Sequence, residues 1–170
     1  LATGEGTLFV VNIPQKQIVK RLSLSKKSLR TLAINPTSSQ LLIGSSDCMI
    51  RAVDLTDFSL AGEWKAHENS VFTLCFDNSY RTLLSGSRDA RLKTWDAKGN
   101  YELTEEVVAH MYAINNISFS PDGKHFVTCS LDKSIKVWSF ERLKLLKVID
   151  KARHAGHGTS VNKLLWTSFN

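Results

Sequence analysis

Apolar residues in this chain fall into short runs separated by polar, turn-forming clusters, and the runs have the length and composition of strands. Between residues 67 and 109 four such runs follow one another: Val71–Phe76, Thr82–Ser85, Leu92–Trp95 and Leu103–Val108. They are rich in Val, Leu, Phe and Thr, residues that suit a pleated, half-buried surface. Clusters such as Ser120-Pro121-Asp122-Gly123 supply turn chemistry between runs. The first run of each set is apolar on both faces, which predicts a strand covered from both sides. Apolar residues do not recur at a helical 3.6-residue spacing over any convincing stretch, so the predicted class is all-β.

The pattern repeats. GEGTLFVVN (4–12), SDCMIRAVD (46–54), RDARLKTWD (88–96) and LDKSIKVWS (131–139) align, and their penultimate residues Val11, Val53, Trp95 and Trp138 are spaced 42, 42 and 43 apart. A second block recurs in step with the first: SLRTLAI (28–34), SVFTLCF (70–76), AINNISF (113–119) and SVNKLLW (160–166). A period near 42 with an early His and a late Trp is the signature of a four-stranded blade. The expected units are a part-blade 1–24, blades 25–66, 67–109 and 110–156, and the first strand of a further blade at 157–170. With Ala66-His67, Ala109-His110, Trp95-Asp96, and the weaker Trp138-Ser139, Val53-Asp54 and Val11-Asn12, the chain resembles the tryptophan–aspartate (WD) repeat β-propellers. The resemblance implies a β-propeller of four-stranded antiparallel blades, about four blades' worth. Propellers of that family have about seven blades, so a segment of a larger propeller is expected. In a second arrangement, strand 161–166 would complete the N-terminal part-blade and close four blades.

The resemblance also bears on the residues that look catalytic. His67, Ser85 and Asp89 are the residue types of a hydrolase triad, and His110, Thr128 and Asp132 repeat them one unit later. With Trp95 and Trp138 they match the family's structural tetrads, which satisfy buried polar groups inside a thin sheet. A nucleophile would need an exposed hydroxyl and an oxyanion hole, and would not be copied into successive units. No catalytic residue is therefore assigned. In unit 25–66 the matching positions hold Ser25, Ile43, Asp47 and Val53, so the tetrad's polar bonding is expected to be absent there.

The family's usual docking surface is the rim where inner strands begin and second turns return. Here it would carry Arg30, Ser70, Phe72, Arg88, Asn115, Leu131 and Asn162. Arginine and aromatic anchors among neutral polar neighbours are the composition of an interaction hot spot. The expected function is thus a non-catalytic protein–protein interaction scaffold, favouring an acidic or phosphorylated peptide or protein through Arg30 and Arg88. Charge offers an alternative: the chain carries 22 Lys and Arg against 16 Asp and Glu. Basic clusters at 16–30 and 142–153 could bind nucleic acid or another polyanion. They are interleaved with Ile, Val and Leu in strand-like patterns, which favours solvated outer strands over a nucleic-acid face.

Other chemistry is weaker. The glycines of Thr3-Gly4-Glu5-Gly6 lie between strands, without the strand-to-helix junction of a phosphate loop. His154 and His157 lack the further Cys or carboxylate ligands of a metal tract, so no metal or cofactor is expected. No apolar run reaches the roughly 18 residues of a membrane span. Three cysteines without zinc spacing fit a reducing compartment, and a cytoplasmic location is expected.

Overall fold

The computed structural model describes residues 1–167, which form fourteen strands and one short helix. β1 (Thr7–Asn12) and β2 (Gln17–Ser23) make a two-stranded sheet. Three four-stranded sheets follow. The first holds β3 (Leu29–Asn35), β4 (Gln40–Ser45), β5 (Met49–Asp54) and β6 (Leu60–Lys65). The second holds β7 (Val71–Phe76), β8 (Thr82–Ser87), β9 (Arg91–Asp96) and β10 (Glu102–Val108). The third holds β11 (Ile114–Phe119), β12 (His125–Ser130), β13 (Ile135–Ser139) and β14 (Lys144–Ile149). Within each sheet the strands pair antiparallel in chain order. The first strands of successive sheets pack together, β3 on β7 and β7 on β11, so the sheets stand side by side as blades of a propeller.

The fourth strand is the most exposed of each blade; the first strand is covered on both faces in β7 but not in β3, where Leu32 and Ile34 are 40% and 57% exposed, contrary to the sequence expectation. β8 is buried along nearly its whole length, whereas β10 is exposed at every position but one. The apolar core consequently lies in the seams between blades. Leu42, Ile50 and Ala52 of one blade pack on Leu74, Phe76 and Trp95 of the next. Leu84 and Leu92 in turn meet Ile114, Phe126 and Trp138. Removing such side chains from water is worth about 1.5–3 kcal/mol each. Gly44 and Gly86 permit the closest approach: a Cβ on either would come within 2.7 Å of Val71 or Ile114 of the following blade.

The turns after β4, β8 and β12 share one geometry with the turn before β1. Gly6, Cys48, Ala90 and Lys133 occupy the same position in each, with φ of 77°, 72°, 66° and 71°. Three of these four tolerate a left-handed backbone without glycine, at a local cost of about 1–2 kcal/mol each.

The C-terminal segment differs from the sequence expectation. No strand forms at 161–166; residues 151–154 are a single helical turn, capped by Asp150 accepting from Arg153 N, and 155–167 contain no strand. Val161 is nonetheless buried and donates its N–H to Ser130 O at 3.2 Å, while Leu164 N donates to Asn116 Oδ1 at 2.9 Å. The segment is thus fastened beside β11 and does not complete the β1–β2 sheet. Val161 stands where Val71 and Ile114 stand in the other blades and is buried as they are, but the residues after it have no neighbouring strand to pair with among the described residues, so no ladder forms. Residues 168–170 of the expected further blade lie outside the described residues.

Candidate functional site

Two blades carry the same buried hydrogen-bond chain. In the β7–β10 blade, His67 Nδ1 lies 3.0 Å from Asp89 Oδ2 and His67 Nε2 lies 2.7 Å from Ser85 Oγ, which also accepts from Trp95 Nε1 at 2.9 Å. A carboxylate only accepts, so Nδ1 donates to Asp89 and Nε2 accepts from the Ser85 hydroxyl. Asp89 further accepts the backbone N–H groups of Glu68 and Arg91. In the β11–β14 blade, His110 lies 2.8 Å from Asp132 and 2.7 Å from Thr128 Oγ1, which accepts from Trp138 Nε1 at 3.0 Å. Ser85 and Thr128 have no solvent exposure and both hydroxyls are fully engaged. Such a group is not free to attack a substrate. Burial acts to raise the pKa of Asp89 and Asp132, but it is outweighed. The His67 bond and charge hold Asp89 to about 2; Ser134, the charge of His110 and the Met111 N–H hold Asp132 there. Burial lowers the pKa of His110 against the opposing pull of Asp132.

The β3–β6 blade corrects the expectation that its polar bonding is absent. Arg51, on β5, reaches into the blade and pairs with Asp47 at 2.8 Å and with Glu63 at 3.0 Å. Its Nη1 also donates to Ser45 Oγ at 2.8 Å, and both Ser45 and Ser25 donate to Asp47. Arg51 is 6% exposed. Desolvation works to raise the Asp47 pKa, yet the bonds from Arg51, Ser25 and Ser45 prevail and keep it far below the usual carboxylate range. Alignment to His, Ser and Trp positions missed this network because Arg51 lies two residues before the Trp position. The signal available was a lone basic residue inside an otherwise apolar third strand, MIRAVD.

The upper rim comprises the turns after β4, β8 and β12 and the loops that lead into β3, β7 and β11. A repeated bond joins them: Ser46 N to Ser28 O, Arg88 N to Ser70 O, and Leu131 N to Ala113 O, at 2.8–3.0 Å. Arg30 Nε donates to Ser46 Oγ at 2.7 Å, and its guanidinium carbon sits 5.5 Å from the centre of the Phe72 ring. Arg88 and Leu131 are exposed. Ser70 is not available at this surface: it is 8% exposed, and its hydroxyl turns to Ser46 O in the seam. Asn115 is committed as well, its amide donating to Ser160 Oγ, Val161 O and Asn162 Oδ1 at 2.9–3.3 Å. The rim set therefore divides into Arg30 with Phe72, an exposed Arg88 and Leu131, and an Asn115–Asn162 clasp on the C-terminal segment.

The family model described as WD domain, G-beta repeat matches residues 58–96 and 101–139. The chain carries two WD repeats. Each matched span runs from the outer strand of one blade through the first three strands of the next, so the WD repeat is offset from the sheet and couples neighbouring blades. Polyadenylation factor subunit 2 of Candida albicans is 26% identical over 141 residues, covering 83% of this chain and 26% of that protein. Nuclear distribution protein nudF 1 of Talaromyces marneffei is 26% identical over 119 residues, covering 69% of this chain and 26% of its own. DDB1- and CUL4-associated factor 13 of Dictyostelium discoideum is 37% identical over 84 residues, covering 47% of this chain and 18% of its own. The WD-repeat chain spans about a quarter of the length of the first two relatives.

Two rim residues of this WD-repeat chain escaped the sequence reading. Met111 and Tyr112 are 82% and 57% exposed in the loop between β10 and β11. The equivalent positions in the preceding blades are Lys26-Lys27 and Glu68-Asn69, so the apolar pair was visible by comparing loops rather than strands. The basic clusters are divided: Lys20 and Arg21 lie on β2 and Lys144 and Lys147 on β14, the exposed outer strands of the first and last sheets, whereas Lys26, Lys27 and Arg30 lie at the rim and Lys151 and Arg153 in the short helix. Among the described residues no group of three or more His, Cys, Asp or Glu could hold a metal, and no helix is long and apolar enough to cross a membrane. Burial pushes the Cys75 and Cys129 thiols up to about 11, which leaves them unreactive.

Proposed function

We propose that this chain is a non-catalytic interaction platform whose upper rim docks an acidic or phosphorylated segment of a partner protein. The observation that carries the reading is the state of Arg30. Its Nε is held by Ser46 and its plane by Phe72, while its two terminal nitrogens have no partner among the described residues. A planar fork held at one edge and free at the other is preorganised for a carboxylate or phosphate. Arg88 is exposed on the neighbouring turn, and neither arginine enters any ion pair among the described residues. The relatives support the coarser part of the reading: one is named as a subunit and another as an associated factor of other proteins. On the same footing we place the chain in the cytoplasm, where its three free cysteines would stay reduced.

Fluorescence anisotropy with labelled Glu-rich and phosphoserine-containing peptides tests the reading. Arg30→Glu and Arg88→Glu are expected to weaken binding about tenfold each, with a mild salt dependence. Unchanged binding in both variants would overturn it. Tight, steeply salt-dependent binding of a labelled oligonucleotide, lost on neutralising Lys144 and Lys147, would favour the polyanion alternative.

A further inference from the structure

The loop Ala109–Ala113 is tied down along its whole length. Ala109 and His110 both donate N–H to Ala90 O, at 3.0 and 3.3 Å, and Met111 donates to Asp132 Oδ2 at 3.1 Å. The Tyr112 carbonyl accepts from Ser130 Oγ at 3.2 Å, and that of Ala113 from Leu131 N at 3.0 Å. The loop therefore bridges two rim turns, one carrying Arg88 and the other carrying Leu131 and Lys133. Folding accounts for this backbone but not for its side chains. Met111, Tyr112 and Leu131 stand 82%, 57% and 52% exposed, at loop and turn positions that are polar in the preceding blades: Lys26, Lys27, Glu68, Asn69, Ser46 and Arg88. Large apolar groups held in water on a fixed backbone have only side-chain rotamer entropy left to lose on binding, which favours a binding hot spot.

The charge around this patch is one-sided. Glu68 is paired with Lys65 at 2.8 Å, while Asp89 and Asp132 are turned onto His67 and His110. Arg88 and Lys133 flank the patch, and neither takes part in an ion pair among the described residues. We infer that Met111, Tyr112 and Leu131 form the seat for one bulky apolar side chain of a partner-protein segment that carries an acidic residue on each side of it, met by Arg88 and Lys133. The inference rests on the reading of the rim as a docking surface, and it names which part of the rim holds the anchor and which partner chemistry fits.

A random peptide library displayed on phage and selected on the immobilised chain is the test. Enriched peptides are expected to share a bulky apolar residue flanked by Asp or Glu. A labelled peptide of that consensus is expected to lose about tenfold or more in affinity on the double variant Met111→Ser, Tyr112→Ser, and about tenfold on Leu131→Ser or Arg88→Glu. Thermal unfolding should be unchanged, because these side chains are exposed. Failure to enrich any peptide, enrichment without acidic residues, or displacement of the peptide by oligouridylate stacking on Tyr112 would overturn the inference. Affinity that survives the Met111→Ser, Tyr112→Ser variant but falls on Arg30→Glu would overturn the seat alone and leave the rim reading standing. Affinity that survives both would overturn the two together.

Discussion

The β3–β6 and β7–β10 blades face the same structural need and meet it with different chemistry. Each must anchor the turn after its second strand to the interior, where unpaired polar groups cost about 1–3 kcal/mol. The β7–β10 blade does so with a hydrogen-bond chain from Trp95 through Ser85 and His67 to Asp89. The β3–β6 blade places a permanent cation, Arg51, between Asp47 and Glu63. The turn geometry that results is the same, with Cys48 and Ala90 at φ of 72° and 66°. Backbone shape here is set by the requirement that the turn Asp be saturated, and either a histidine or an arginine can saturate it. The charged solution is more exposed to perturbation, because a buried ion that loses its partner cannot be rehydrated.

The largest effect is therefore expected at Arg51. Arg51→Ala should destabilise the chain by about 3 kcal/mol or more, measured by urea denaturation, since it strands Asp47 and empties buried volume. A loss below that for His67→Ala would remove the contrast between the two blades. His110→Ala should come next, at about 2 kcal/mol, by leaving Thr128 and Asp132 without their shared partner. Ser25→Ala should cost about 1 kcal/mol, since Asp47 keeps Arg51 and Ser45. Equal shifts in thermal midpoint for those two variants would break the comparison from the other side.

Acid should separate the blades in order. The folded-state pKa values of Asp89 and Asp132 are depressed from 3.8 to about 2, so their contribution is complete above pH 3.8 and is lost as pH falls through about 2. Asp47 is depressed further, so its share is lost at lower pH still. Amide exchange at stepped pH should accordingly show β7–β14 loosening before β3–β6; the reverse order would mean that Arg51 does not control Asp47. The smallest effect is expected at the shared turn position. Cys48→Gly and Ala90→Gly should each stabilise by up to about 1 kcal/mol, net of the entropy glycine gains in the unfolded chain. Unequal gains would show that the two networks strain their turns differently.

Much of this was legible in the residues. The spacing of Val11, Val53, Trp95 and Trp138 carried the blade period, and the His67 and His110 chains could be named from position alone. The Arg51 network could not, because a lone arginine in a strand declares neither which face it occupies nor that Ser25, 26 residues earlier, will lie beside Asp47. The rim was half legible. Periodicity placed Arg30, Phe72, Arg88 and Leu131 on one edge, but gave no sign that Ser70 would turn into the seam or that Asn115 would be held by Val161 and Asn162. Met111 and Tyr112 lie in a loop, outside the strand alternation, and stand out only against the polar residues at the equivalent loop positions.

By itself, then, the sequence determined the class of the fold, the blade repeat, the strand order within each blade and the tetrads of two blades. These depend on local alternation and on residue types recurring at a fixed interval. Tertiary structure alone decided which polar groups meet across seams, that 161–166 pairs with no strand among the described residues, and which rim side chains remain free for a partner. Those outcomes depend on distances between residues far apart in the chain, and one methyl-sized volume or one hydrogen bond is enough to change them.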